Sequence, residues 1–152
     1  MILRKNVRAT VLAGAGVAGL FLMPGCQVID DAVGEFNSKR YARHNEPGNA
    51  WLSDQMLPAE INISGSYRSR DWGPSFFSQN GREIRGHLGD YPVKGVVSGN
   101  KAYMVLMYDG WYYYSVVLEM PNPGLLVGYF SRGVPYRRDA RRDIELVAST
   151  GF

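Results

Sequence analysis

What most limits the folds open to this chain is its punctuation. From Ile61 onward, apolar and polar residues alternate, and turn-forming pairs interrupt the alternation at short intervals. Ile61–Arg68 is the first such run. Asn80-Gly81 separates Ser75–Gln79 from Arg82–Leu88, Gly99-Asn100 separates Val93–Ser98 from Lys101–Tyr108, and Asp109-Gly110 separates that run from Trp111–Glu119. Pro121-Asn122-Pro123-Gly124 precedes Leu125–Arg132, and Asp143–Ser149 closes the series. A period of two belongs to strands, whose successive side chains leave on opposite faces. Asn-Gly and Asp-Gly are strong hairpin signals, because a type I′ turn needs positive φ at both central residues.

These runs amount to eight strands in sequence, most joined by short links and therefore antiparallel. Eight strands can close on themselves, which removes the unpaired edges of an open sheet. The expected fold is all-β: a small eight-stranded antiparallel up-and-down β-barrel, with a two-sheet β-sandwich as the alternative. Glycines inside the runs, at Gly65, Gly86, Gly95 and Gly128, suit bends in a tightly coiled sheet. In general design the body resembles the small barrels of the lipocalin and streptavidin group, a likeness of fold alone.

Strand parity adds a second constraint. The second face of Arg82–Leu88 is polar, through Glu83, Arg85 and His87. Lys101–Tyr108 instead carries Tyr103, Val105 and Met107 on one face and Ala102, Met104, Leu106 and Tyr108 on the other. Trp111–Leu118 reads as Tyr112, Tyr114, Val116 and Leu118 against Trp111, Tyr113 and Val117, and Leu125–Phe130 is also apolar on both faces. Only one face of a barrel wall points inward, so the other needs a cover. Residues 28–58 packing over that face is one expectation. A protein partner or homodimer on the apolar face of strands 101–130, or an aromatic ligand groove, is the other. Tyr103, Tyr112, Tyr114, Tyr129 and Trp111 are the candidate ligand or partner surface, with Tyr67 as a further tyrosine of interest.

Ahead of the strands, Ile29, Val33, Phe36 and Arg40-Tyr41 recur at roughly helical spacing, with Asp30 and Asp31 at the start and Lys39 and Arg40 at the end. Acidic residues in a first turn and basic ones in a last turn complement the helix dipole. The spacing predicts a short amphipathic helix over about 28–43 or, failing that, a flexible tether. His44-Asn45-Glu46-Pro47-Gly48-Asn49 reads as a break after it.

The first 25 residues differ from the rest. Met1–Arg8 is short and positive, Ala9–Met23 is uncharged, and Leu22-Met23-Pro24-Gly25-Cys26 follows directly. A membrane-spanning helix needs roughly 20 apolar residues, and this run is shorter. It fits a secretory leader. The net charge of +3 rests on seventeen basic and fourteen acidic residues. Arg4, Lys5 and Arg8 fall in the leader, which has no acidic residue, so the remainder holds fourteen of each sign. A neutral body gives no reason to expect nucleic-acid binding. The cluster Arg137, Arg138, Arg141 and Arg142 is interrupted by Asp139 and followed by Asp143, as in a solvated loop.

Those residues resemble the signal of bacterial lipoproteins, in which a small residue precedes a cysteine that is lipidated on its thiol and becomes residue one after cleavage. The resemblance implies cleavage between Gly25 and Cys26 and lipidation of Cys26, and Leu22 suits the pattern. Cys26 is also the chain's single cysteine, which a disulfide framework does not explain. The implied organisation is a signal peptide over 1–25, a lipidated N-terminus and linker over 26–58, and a barrel over 59–152. It also implies a cell-envelope location, held to the membrane through the lipid at Cys26. Gln27, a residue other than Asp, resembles an address for the outer membrane, facing the periplasm, in a Gram-negative cell.

Catalytic chemistry finds little footing. Two histidines, His44 and His87, and one cysteine make no metal-ligand spacing, so no metal or other cofactor is expected. Gly14-Ala15-Gly16-Val17-Ala18-Gly19 matches the Gly-x-Gly-x-x-Gly string but lies within the leader. His87 and Asp90 with Ser78 or Ser98 is the nearest approach to a nucleophile and base. The expectation is a non-catalytic barrel acting in protein contacts or accessory roles. Carriage of a small lipophilic or glycan ligand is the alternative, and a hydrolase the weaker one.

Overall fold

The computed structural model describes residues 34–150. Cys26, Gly25, the leader and the first part of the expected helix, 28–33, lie outside the described residues. Helix α1 covers residues 34–53. Eight strands follow: β1 (Gly65–Ser69), β2 (Gly73–Asn80), β3 (Glu83–Leu88), β4 (Tyr91–Ser98), β5 (Lys101–Tyr108), β6 (Trp111–Asn122), β7 (Leu125–Arg132) and β8 (Arg142–Ala148), with a 3-10 turn at Arg138–Ala140 before the last. Each strand pairs antiparallel with the next, and β8 returns to β1 through Tyr67↔Ala148 and Arg68↔Val147. The fold is a closed up-and-down barrel, not a sandwich.

The turns explain the register. Asp109 and Gly110 both have positive φ, 49° and 78°, as a type I′ turn demands. The Asn80-Gly81 signal sits one residue out of frame: Asn80 pairs with Glu83, so Gly81 and Arg82 are the central residues, with φ of 59° at Gly81. A positive φ at the first position alone is the type II′ arrangement. β1 is shorter than the Ile61–Arg68 run because Ile61 and Ile63 leave the wall and close one end of the barrel. The Gln79 side chain holds them there, accepting from Ile63 N–H (3.0 Å) and donating to the Ile61 carbonyl (2.9 Å).

The interior is filled by side chains. Phe77, Ile84, Leu88, Val97, Met104, Leu106, Val116, Leu118, Leu126 and Leu146 are fully buried and form one cluster with Tyr67 and Ile144. At the end opposite Ile61, Trp72 makes edge contacts with Tyr91 (5.6 Å), Tyr114 (5.3 Å) and Phe130 (5.0 Å). Such perpendicular aromatic contacts each contribute about 0.5–1.5 kcal/mol beyond burial.

Two expectations about the wall need correction. The register shifts between Leu106 and Met107, so Leu106 opposes Tyr114 while Met107 opposes Tyr112. An extra residue in one strand reverses the parity beyond it. Tyr114 therefore joins the interior cluster, whereas Tyr112 packs on the outer face with Leu52 and Val105. The expected break at 44–49 is likewise absent, since α1 runs through it.

The chain divides into two compact units at Arg40/Tyr41. In the first, the described residues 34–40 carry an exposed Lys39–Glu35 ion pair (2.7 Å) one turn apart. In the second, α1 from Tyr41 onward lies on the outer wall. The residues it presents, Tyr41, Asn45, Gly48, Asn49 and Leu52, recur at helical spacing. Gly48 is there for space: a Cβ at that position would lie 2.6 Å from Tyr112 Cδ2 and 2.7 Å from Val134 Cγ1. Pro47 is exposed on the far side.

Replacing an exposed helical glycine by alanine ordinarily stabilises by about 1 kcal/mol. At Gly48 the sign should reverse, because overpacking costs about 1–3 kcal/mol. Urea denaturation of Gly48→Ala should show a lower midpoint at unchanged slope. A raised midpoint would contradict the close approach of α1 to Tyr112.

Candidate functional site

With the interior full, the barrel's accessible aromatic surface lies on the outer wall and at its ends. The helix uses part of that wall. Leu52, Val105 and Tyr112 are buried together, flanked by Trp51, Val96, Tyr103, Met107 and Val134. Polar bonds fix the seam. Asn45 donates to the Gly110 carbonyl (2.8 Å) and accepts from Tyr112 N–H (2.9 Å). Asn49 Oδ1 accepts from Tyr112 Oη (2.7 Å) and Lys94 Nζ (2.9 Å). The β7–β8 loop covers a second part. Ser115 Oγ donates to the Gly133 carbonyl (2.9 Å), and Ser131 Oγ accepts from Arg137 N–H (3.0 Å).

Between helix and loop the wall lies open as a groove of about 1660 Å³. Its floor follows from the register. Tyr103, Val117, Tyr129 and Asp143 stand opposite one another across β5, β6, β7 and β8. Lys101, Glu119, Val127 and Glu145 form the neighbouring row. Trp51 borders one side, edge-on to Tyr103 (5.8 Å) and stacked with Tyr136 (6.4 Å). Arg138 and Arg141 border the other, and the Arg141 guanidinium lies 4.3 Å over the Tyr129 ring.

Charge in the groove is partly spent within it. Lys101 pairs with Glu119 at 3.0 Å, and that hydrogen bond, with its Coulomb attraction, raises the lysine's pKa above its ordinary value. Arg137 is tied to Asp139 at 2.9 Å, which lowers the aspartate's pKa. Both pairs are solvent-exposed and contribute little to stability. The arginine cluster thus divides: Arg137 is neutralised in its own loop, while Arg138 and Arg141 face the groove.

The tyrosines and tryptophan singled out from the sequence therefore part company. Tyr103 and Tyr129 line the groove, with Tyr129 38 % exposed. Tyr112 lies under the helix and Tyr114 at the barrel end. Trp111 meets the edges of Tyr41 (4.9 Å) and His44 (4.4 Å). The helix occupies part of the face offered to a partner or second copy, leaving the Tyr103–Val117–Tyr129 row open.

Of the two serines considered with His87, Ser98 is not brought to it: His87 Nδ1 is 3.1 Å from the Gly89 carbonyl in its own turn, and Ser98 Oγ, at the opposite end of β4, accepts from Leu57 N–H (2.9 Å). Ser78 stands on β2 two residues beyond Phe76, the residue opposite His87. Among the described residues, no three His, Cys, Asp or Glu side chains gather as a metal site. Sequence reasoning missed Asn45, Gly48 and Asn49, whose helical spacing was present but not apolar. Compared with protein-family models, curated proteins and solved structures, the chain matches none. What fold and surface define is a solid-cored eight-stranded barrel with a helix-covered wall and an aromatic groove.

Tyr67 is buried inside the barrel, and desolvation raises its pKa above 10.0. A raised folded pKa means that its contribution is complete below pH 10 and is lost as pH rises through the folded value. Unfolding free energy should therefore fall more steeply above pH 10 in the parent than in Tyr67→Phe, measured by urea titration at successive pH values. Equal slopes would show that this phenol does not govern the alkaline limb.

Proposed function

We propose that this protein is a membrane-anchored lipoprotein of the cell envelope, held by a lipid on Cys26, whose barrel is non-catalytic and works through protein contacts or structural support. In a Gram-negative cell the reading places it on the outer membrane, facing the periplasm. The observation that carries the choice of contact over carriage is the filled interior, from Ile63 at one end through Phe77, Met104 and Leu126 to Trp72 at the other. An eight-stranded barrel has room for one small ligand or for its own side chains, and here the side chains take it. Contact then falls to the outer wall, where Tyr103, Val117 and Tyr129 lie open.

Lipidation supports the same reading energetically. Each buried CH₂ of an acyl chain contributes ~0.8 kcal/mol of membrane affinity, and two chains anchor stably where one does not. A body of net charge zero gains little from anionic lipids, so in this reading the acyl chains carry most of the membrane affinity.

Fractionation tests the anchor: Cys26→Ser should move the protein from the membrane to the soluble fraction, and retention would overturn it. Native mass spectrometry of that soluble form, purified from its own envelope, tests the rest. The mass of the polypeptide alone is expected. A stoichiometric small molecule on the barrel would shift the reading to a carrier of a lipophilic or glycan ligand.

A further inference from the structure

In a meander the hairpins alternate between the two ends of the barrel. The Gly81 and Gly99 turns lie at one end with Ile61 and Ile63. The β1–β2, Gly89 and Asp109-Gly110 turns lie at the other, with Trp72. The chain joins the barrel unit at this second end. The Tyr41 ring lies 3.4 Å from the Cβ position of Gly110 and 4.9 Å, centroid to centroid, from Trp111.

The same end carries more aromatic rings than closing the barrel requires. Trp72, Tyr114 and Phe130 plug the interior, and Tyr91, Tyr108 and Tyr113 continue outward from them. Tyr91 meets Tyr108 at 6.3 Å, Tyr108 meets Tyr113 at 6.4 Å, and Tyr108 is 65 % exposed. Arg132 lies 4.8 Å over the Tyr113 ring and donates to its hydroxyl. Tyrosine and tryptophan, apolar in body and polar at the tip, favour the boundary between water and hydrocarbon.

We propose that this tyrosine rim seats on the lipid headgroups, so that the anchored barrel stands with its Trp72 end on the bilayer and its Met56–Leu57 end away from it. The proposal rests on the lipidation of Cys26. That residue lies eight positions before α1 begins and fifteen before Tyr41, a reach of at most ~40 Å with residues 34–41 helical. Because the tether joins the barrel at the rim, seating needs no return of the chain along the wall. Arg70 and Arg132 stand at this end beside Asp71, Asp90 and Asp109, all exposed. With both signs present, the surface suits zwitterionic headgroups at interfacial depth rather than an anionic bilayer or the hydrocarbon core.

The three tryptophans supply the test. Trp72 and Trp111 lie at the rim, whereas Trp51 lies beside Tyr103, five residues down β5 from Tyr108 and therefore ~17 Å along the strand. The full acylated protein is reconstituted in phosphatidylcholine–phosphatidylethanolamine vesicles containing lipid brominated near the headgroup. Tryptophan emission should drop relative to unbrominated vesicles. The drop should persist in Trp51→Phe, shrink in Trp111→Phe, and be largely lost in Tyr108→Asp, which changes an exposed rim residue while the lipid stays in place. Unchanged emission from protein that floats with the vesicles would overturn the seat and leave the anchor standing. Quenching confined to Trp51 would also overturn it, in favour of another orientation. Protein that fails to float would overturn the anchor itself, and the seat with it.

Discussion

The outer half of this molecule follows from one constraint: β5 and β6 are apolar on both faces. Ala102, Met104 and Leu106 fill the barrel while Val105 and Met107 point away from it, and water cannot solvate both sides of such a wall at low cost. Helix α1 resolves the conflict from Tyr41 onward. Burial of Leu52, Val105 and Tyr112 contributes about 1.5–3 kcal/mol for each fully buried side chain. That is enough to offset the ~3 kcal/mol that a proline costs within a helix and the ~1 kcal/mol of a glycine. Pro47 and Gly48 survive in α1 because packing outweighs propensity there.

The same balance decides what could be read in advance. Turn chemistry is local, so Asp109-Gly110 and Gly99-Asn100 mark their hairpins from the sequence, and eight runs become eight strands. Gln79 is different. Its side chain gathers Ile61 and Ile63 from sixteen or more residues away, so nothing near Ile61 signals that the wall begins only at Gly65. The extra residue in β6 is also silent, since the Trp111–Leu118 alternation reads equally well with or without a shift. Its effect on the site is large: it sends Tyr112 outward and Tyr114 inward. The part of α1 beyond residue 43 was hidden for the opposite reason, because Asn45, Gly48 and Asn49 carry strong turn preferences that bonds to Tyr112 and Gly110, with burial of Leu52, override.

Solid packing has a functional consequence beyond stability. Residues such as Phe77, Leu106 and Leu126 leave no water-exposed surface inside, so sequence variation there changes folding before it changes recognition. The wall is the reverse. Tyr103, Val117 and Tyr129 hold their row because the ladder fixes them, while Arg138 and Arg141 stand on a loop that the Ser115 and Ser131 bonds tie down at its start. A floor fixed by the ladder, bordered by a loop that lies outside it, is an arrangement in which side chains at the border can change without disturbing the barrel.

The proposed anchoring at Cys26 changes how strong any such contact has to be. Surfaces joined through a short linker meet at an effective concentration in the millimolar range. A contact of about 4 kcal/mol, far too weak to hold two free proteins together in solution, is then half-occupied. One exposed tyrosine row or one aromatic rim can supply that much, whereas a free partner would demand a large and strongly apolar interface. The modest open surface on this barrel, part of its apolar wall lying under the helix, is what the proposed anchoring calls for, with the lipid supplying proximity and the wall supplying selection.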